Sequence, residues 1–386
     1  MDFKIRLSPP HMSGNELKYV QKALETNWVA PAGKNIDEFE KDIEAYLGGQ
    51  LHVTALSSGT AAIHLALVLA GVKPGDEVIC QSLTFAASAF PILYQGANPI
   101  FIDSEQETWN MCPILLEDAI KDRIESGKKP KAIILVHIFG MPGKIDDIVA
   151  VSKKYNIPIV EDAAEALGSR YKGQKCGTFG DYGVVSFNGN KIITTSGGGA
   201  LTTKSEIEKD KAIFLSTQAK DKASWYQHSQ LGYNYRMSNI SAGIGRGQME
   251  VLDLYVNKRR ENHQFYTQLF QPYDFIHVFS EPSIEFHSNH WLSCIQFSDN
   301  KSNKTALGLY EALRKNKMES KPVWKPLHLQ PVFEDRPFYG SKISETIFEK
   351  GLCLPSGSNL SETEKETIAQ VVLKYLDSCH SERNVV

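Results

Sequence analysis

The chain has 386 residues, 42% hydrophobic and 23% charged, an ordinary globular composition with length enough for one large and one smaller folded region. Forty-two basic residues against 45 acidic ones leave a net charge of −3, which argues against a nucleic-acid footprint or a polybasic membrane surface and leaves small molecules and copies of the chain as expected partners. Six scattered cysteines without a C-x-x-C pair or metal-type spacing, and the lack of any leader-like or membrane-length apolar run, give a soluble cytoplasmic protein as the expectation.

Between about residues 51 and 203, short β-rich runs alternate with helical ones, the pattern of an α/β domain with a mostly parallel sheet. The predicted strands are Leu51 to Leu56, Glu77 to Cys80, Pro99 to Asp103, Ala132 to His137, Pro158 to Glu161, Gly183 to Phe187 and Ala200 to Thr203. Helices are predicted over Ala61 to Ala70 and Ile145 to Tyr155, with a short one over Ala163 to Leu167. Turn signals such as Lys73-Pro74-Gly75-Asp76 and Pro142-Gly143 punctuate them. From Ser238 to about Gln271 the pattern reads as one long helix. This helix is expected to link a large α/β domain (1–250, N-terminal segment included) to a smaller C-terminal α+β domain (251–386). Residues 380–386 read as a frayed polar tail.

In an open parallel sheet, ligands sit beyond the carboxyl ends of the strands, and the residues able to carry chemistry fall there. Ser57-Ser58-Gly59-Thr60 follows the first strand and opens a helix, so its amides and hydroxyls either hold a phosphate or only cap the helix. Phe85, in Gln81-Ser82-Leu83-Thr84-Phe85, either covers a planar ring or joins the core. His137 is either a satisfied buried histidine or a functional one. Asp162, after the run Ile157-Pro158-Ile159-Val160-Glu161, either caps the short helix beginning at Ala163 or pairs with a cationic heterocycle. Glu165, three residues on, can reach the same place or lie in solvent.

Lys191 is the most informative residue. It stands in Ser186-Phe187-Asn188-Gly189-Asn190-Lys191, just before Gly197-Gly198-Gly199, between a β-rich stretch and a glycine cluster that lets backbone approach a bound group. An amine and a carboxylate so placed suit pyridoxal phosphate: the lysine forms a Schiff base and Asp162 keeps the pyridine nitrogen protonated, which makes the ring an electron sink. A freed lysine amine can then carry a proton between two carbons. Gly243-Ile244-Gly245-Arg246-Gly247 is not a dinucleotide fingerprint, because it has the wrong spacing and no preceding strand. Its small residues predict close helix packing.

Taken in order, Ser58-Gly59-Thr60-Ala61-Ala62, Leu83-Thr84-Phe85, Glu161-Asp162-Ala163-Ala164, Ser186-Phe187 with Lys191, the glycine run and Gly232-Tyr233-Asn234-Tyr235-Arg236-Met237 resemble the DegT/DnrJ/StrS sugar aminotransferases. The resemblance runs from about Leu7 to about Gly357. It implies the aspartate-aminotransferase type (fold type I) of pyridoxal phosphate domain, with Lys191 as the Schiff-base lysine and Asp162 as the pyridinium partner. Glu165 would lie near the phenolic oxygen, where other members carry His or Gln, and Phe85 would stack on the ring. Gly59, Thr60 and Ser186 would hold the phosphate, completed by Asn234 of a neighbouring subunit, so a homodimer is implied.

Within the family, Leu7-Ser8-Pro9-Pro10-His11-Met12, the stretch from Asn188 to Gly199, and Trp324-Lys325-Pro326-Leu327-His328 are most similar to the bacterial UDP-N-acetylbacillosamine aminotransferases. That similarity implies amino transfer from L-glutamate to carbon 4 of a UDP-linked 4-keto-6-deoxy-N-acetylhexosamine, with His328 at the nucleotide-sugar and Arg236 as a further substrate contact. His290 stands where the resemblance leads us to expect arginine. A dTDP- or GDP-linked keto sugar is the alternative acceptor, and a non-enzymatic cofactor-binding regulator is the alternative class.

Overall fold

A computed structural model describes residues 3–48, 50–298 and 304–377, so the predicted tail lies outside the described residues. Its main sheet contains β1 (His52–Leu56), β2 (Glu77–Gln81), β3 (Asn98–Ile102), β4 (Ala132–Val136), β5 (Ile159–Asp162), β6 (Tyr182–Ser186), β7 (Gly199–Thr203) and β8 (Phe338–Tyr339), in the spatial order β1-β7-β6-β5-β4-β2-β3-β8. Every residue of β2, β4, β6 and β7 is buried, as a sheet covered on both faces requires, and this is why the strands read as nearly continuous apolar runs. Alternation along β2 shows the two faces: Val78 and Cys80 pack with the buried helix Gly59–Leu69, and Ile79 packs with Leu116, Ile120 and Ile148 from the helices Pro113–Glu125 and Ile145–Tyr155.

All seven predicted strands are present within a residue or two of their expected bounds. The structure departs from expectation in four places. β7 runs antiparallel to both neighbours, β1 and β6, because the chain returns from β6 through the non-helical loop 187–198 and has no crossover helix to carry it back. β8 is contributed by the C-terminal region and pairs in parallel with β3; two residues are too short a run to announce a strand. Ala163 to Leu167 forms consecutive turns and not a helix, closed by Gly168 at φ +93° before the chain enters the strand Arg170–Tyr171.

The fourth departure is the long helix, which is two helices, Asn239–Met249 and Leu252–Phe270, parted at Val251 with φ −122°. The first lies against the N-terminal helices Glu16–Glu25 and Lys34–Leu47. A Cβ on Gly245 would stand 2.5 Å from the Phe39 ring, and one on Gly247 would stand 2.6 Å from the Glu16 amide, so the glycine run serves close packing. The second turns away to a four-stranded antiparallel sheet of Ile276–Val278, Ser293–Phe297, Gly351–Leu354 and Lys321–Pro322. The helices Ala306–Lys315 and Glu362–Asp377 share a core with this second sheet, and Ile5 enters the same core and bridges to Met318. No helix among the described residues is long and apolar enough to cross a membrane.

The start of β7 pairs with the ends of β1 and β6, Gly199 lying opposite both Leu56 and Ser186. A Cβ on Gly199 would meet the Gly59 amide nitrogen and the Ser58 carbonyl carbon at 2.4 Å. Gly199→Ala therefore forces backbone apart and is expected to cost about 1–3 kcal/mol, read by urea denaturation. Gly189→Ala, whose Cβ would meet nothing closer than 3.9 Å, is the control. Equal stability of the two variants would remove the packing argument.

Candidate active site

The carboxyl ends of β1, β2, β4, β5 and β6 converge on a cavity of about 800 Å³, a volume typical of small-ligand sites. Seven residues singled out from the sequence line it together: Gly59, Thr60, Phe85, Asp162, Glu165, Ser186 and Lys191. Their positions are set by the strands that precede them.

At one end, Ser58 adopts extended backbone and its hydroxyl accepts from the Ala61 amide, so it is the cap of the helix Gly59–Leu69. That cap leaves the first amides, Gly59 and Thr60, without carbonyl partners in the helix, as its geometry demands. Capping and anion binding are thus compatible here. Gly59 lies so close to Ser186 that an added Cβ would be 3.0 Å from the serine Cβ, which draws a hydroxyl and two amides into one concavity. These are the groups a phosphate needs.

Asp162 is the last residue of β5 and is almost fully buried. Its Oδ2 accepts from the Ser88 hydroxyl at 2.7 Å and its Oδ1 from the Ala164 amide at 3.1 Å. Ser88 is itself 2.8 Å from Thr84 Oγ1, so a short polar chain fixes the carboxylate's orientation. Its neighbour Glu161 points to the other face of the sheet. There it contacts His137 Nε2 at 2.9 Å and accepts from the amides of Phe179 and Gly180 at 2.7 and 3.0 Å. Burial works against ionisation of Glu161, but the bonds from His137 and the surrounding amides outweigh it and hold the carboxyl below its ordinary range. With the Gly143 amide donating to its Nδ1, His137 is a satisfied structural histidine behind the sheet.

Lys191 and Glu165 meet across the cavity floor, Nζ 3.2 Å from Oε1. The other carboxylate oxygen of Glu165 accepts from the Phe139 amide at 2.8 Å. Burial pushes the Glu165 carboxyl above its ordinary value, with Lys191 and the Phe139 amide opposing that shift. The Lys191 ammonium also lies over the face of Trp291, 4.3 Å from the ring centre. Phe85 sits at the mouth of the cavity, 58% exposed and 5.7 Å from the Trp324 ring.

Three predicted residues do not join the cavity wall of this chain. Asn234 is exposed, its backbone bridged to Thr217. Arg236 is tied to Glu40 and donates to the Ala55 carbonyl at 3.1 Å. His328 has Nδ1 2.6 Å from Ser82 Oγ and stacks on Phe338 at 3.7 Å. His290 also lies outside the lining residues, stacked on His263 at 3.6 Å with its Nε2 3.1 Å from Glu281. Two nearly parallel rings that close cannot both aim in-plane lone pairs at one ion, so this trio is not shaped as a metal centre.

Sequence reasoning gave no role to Ser88, Trp291 or Lys321, and from the run Trp324 to His328 it singled out only His328, yet Ser88, Trp291, Lys321, Trp324 and Lys325 all line the cavity. Ser88 carried a usable signal, since it stands four residues after Thr84 in a loop already singled out. Trp291, Lys321 and Lys325 come from the second sheet and its edges, and no local spacing links them to β5 or Lys191.

The Glu165 environment makes a signed prediction. A carboxyl whose folded value is raised binds its proton more tightly when folded, so its contribution to stability declines as pH climbs from the ordinary value through the folded one. Glu165→Gln cannot ionise and lacks that decline. In melts of the cofactor-free protein from about pH 4 to about pH 8, the variant should gain on the native chain as pH rises. A difference that does not change with pH would contradict the burial assignment.

This geometry agrees with the chain's similarities to known proteins. Residues 10–373 match the DegT/DnrJ/EryC1/StrS aminotransferase family. The "Putative pyridoxal phosphate-dependent aminotransferase EpsN" of Bacillus subtilis (strain 168) is 46% identical over 377 residues, covering 97% of this chain and 96% of that protein. GDP-perosamine synthase of Escherichia coli O157:H7 is 35% identical, covering 95% and 97%. The crystal structure of a DegT DnrJ EryC1 StrS aminotransferase from Brucella abortus superposes with a TM-score of 0.86 at 29% identity, over 94% of this chain and 95% of that one. With a fold-type-I sheet, and a buried acid at the end of β5 lining one cavity with a lysine amine, the chain belongs to the DegT/DnrJ/EryC1/StrS family and is a pyridoxal phosphate-dependent sugar aminotransferase.

Proposed function

We propose that the protein transfers the amino group of L-glutamate to carbon 4 of a UDP-linked 4-keto-6-deoxy-N-acetylhexosamine, supplying amino sugars for bacterial glycans. The observation that carries the reading is that Lys191, Glu165 and Asp162 at the carboxyl edge of the sheet line one cavity with the close-set Gly59, Thr60 and Ser186. These donors fit pyridoxal phosphate from end to end: two free helix amides and a hydroxyl for its phosphate, an oriented carboxylate for its ring nitrogen, an amine for its carbonyl. When bound, the cofactor supplies an electron sink that stabilises negative charge on the carbon losing its proton.

The chain's own residues do the rest. Asp162, held in orientation by Ser88 and the Ala164 amide, would pair with the cofactor's ring nitrogen. Lys191 is the anchoring amine and, once released, the group that moves the proton. Glu165 holds Nζ at 3.2 Å and would lie near the cofactor's phenolic oxygen. Phe85 covers the ring from the mouth of the cavity. Lys321 and Lys325, two exposed cations beside Trp324, suit the diphosphate and base of a nucleotide carrier, whose binding holds the ketone in place. The choice of UDP rests on the sequence resemblance, as do the substrate roles of His328 and Arg236.

A homodimer is part of this reading. Trp225, Tyr226 and Leu231 are 69%, 82% and 77% exposed in the segment leading to Asn234, an apolar surface that a second copy would cover, which would bring Asn234 of the partner subunit to the phosphate. Residues 220–232 are otherwise polar and nearly all exposed.

Two experiments test the proposal. UDP-, dTDP- and GDP-linked 4-keto-6-deoxy sugars are offered with glutamate, and products are identified by mass and NMR. The UDP-linked acetamido sugar should be aminated fastest, with no product from Lys191→Ala, and preferential amination of a GDP-linked sugar would replace the UDP assignment. Separately, Lys191→Ala and Asn234→Ala subunits are mixed. Shared sites predict that hybrids regain part of the activity both parents lack, and absence of recovery in verified hybrids would refute Asn234 exchange.

A further inference from the structure

Trp291 lies on the loop before the strand Ser293–Phe297, a hundred residues from Lys191 in sequence, yet it meets that residue in two ways. The indole edge donates from Nε1 to the Asn190 carbonyl at 2.7 Å, so it grips the peptide that carries Lys191. The indole face receives the Lys191 ammonium at 4.3 Å from the ring centre. The residue is 3% exposed, and its ring cannot swing away without opening the core.

Its own placement is secured from both sides. Asn289 accepts from the Trp291 amide at 2.8 Å while its side-chain nitrogen donates to the Glu165 and Leu167 carbonyls at 2.9 and 2.8 Å, which ties the tryptophan to the segment bearing the other partner of Lys191. Arg259, fully buried, donates to the Trp291 carbonyl at 2.6 Å, to the Ser356 carbonyl at 3.1 Å and to Ser8 Oγ at 3.0 Å. Ser8 passes the constraint on, because its hydroxyl donates to the same Asn190 carbonyl at 2.7 Å. Two donors on one carbonyl leave the Lys191 backbone little freedom.

We propose that Trp291 is a positioning residue for Lys191: its edge fixes the backbone from which the lysine projects, and its face aims Nζ at the place where the cofactor's carbonyl arrives. This rests on Lys191 being the anchoring amine. Arg259 and Asn289 support it from outside the cavity lining, and Ser8 from the cavity wall.

The test measures capture of added pyridoxal phosphate by cofactor-free protein, read as the rate of growth of the bound cofactor's absorbance, well below the melting temperature. Trp291→Leu removes edge and face and should slow capture about tenfold or more; Trp291→Phe keeps a face and should slow it only about threefold. In glutamate turnover, kcat should fall in the same order while KM holds. An unchanged or faster rate in folded Trp291→Leu overturns the proposal. A lowered melting temperature with native capture, the mark of mere packing, does the same. If the leucine variant does not fold, Trp291→Phe decides the matter, and a native rate there overturns it. Lys191→Ala separates the two claims: if it still forms a borohydride-fixed adduct, the reading of Lys191 falls, whereas loss of that adduct beside native capture in the Trp291 variants removes only the tryptophan's role.

Discussion

Asp162, Glu165 and Lys191 share a corner of the molecule that water hardly reaches, and the rest of the structure is arranged so that these charges are tolerable there. A buried carboxylate is costly unless hydrogen bonds or an opposite charge compensate it. Each of the two acids receives one backbone amide, and each then has one further partner, the Ser88 hydroxyl for Asp162 and the Lys191 ammonium for Glu165. Asp162 thus lines the cavity with its orientation fixed, while Glu165 and Lys191 hold each other. An incoming electrophile that takes up Lys191 leaves Glu165 short of its partner, and the acid must find another donor in whatever has bound.

The sheet makes such placement possible. Register puts Val136, Asp162 and Val184 side by side, with β6 running two residues further to Ser186, so the loops leaving these strands rise into one space. The reversal of β7 brings a glycine where a side chain would block the approach of the helix Gly59–Leu69 to Ser186. Glu161 does the opposite work on the hidden face, where its bonds to His137 and the amides of 179 and 180 anchor the strand that presents Asp162. Adjacent acids on one strand therefore have unrelated duties because alternation sends them to opposite faces.

Much of this was legible in the chain itself. The strands announced themselves because burial on both faces demands unbroken apolar runs, and seven cavity residues stood at strand ends where an open sheet collects ligands. What stayed hidden was of two kinds. Short or reversed elements, such as β8 and β7, are defined by their partners and not by their own residues. The break at Val251 left no trace, since Met249, Leu252, Tyr255 and Val256 keep helical spacing across it. Long-range contacts were the other kind: nothing local in Asn289-His290-Trp291 says that it grips Asn190, and Arg259 reads as one more cation on a helix although it is fully buried among neutral oxygens.

The reciprocal loan between the two sheets has an implication for how this molecule could be recombined. Phe338 and Tyr339 close the edge of the larger sheet, while Ile5, from the opposite terminus, seals the core of the smaller one. Neither part is therefore a detachable module: a chimera that imported a foreign C-terminal half would also import a foreign border for the cofactor-bearing sheet and strip its own leading residues of their socket. Changes in acceptor preference in such an architecture come more readily from loop and rim substitutions than from exchange of whole halves.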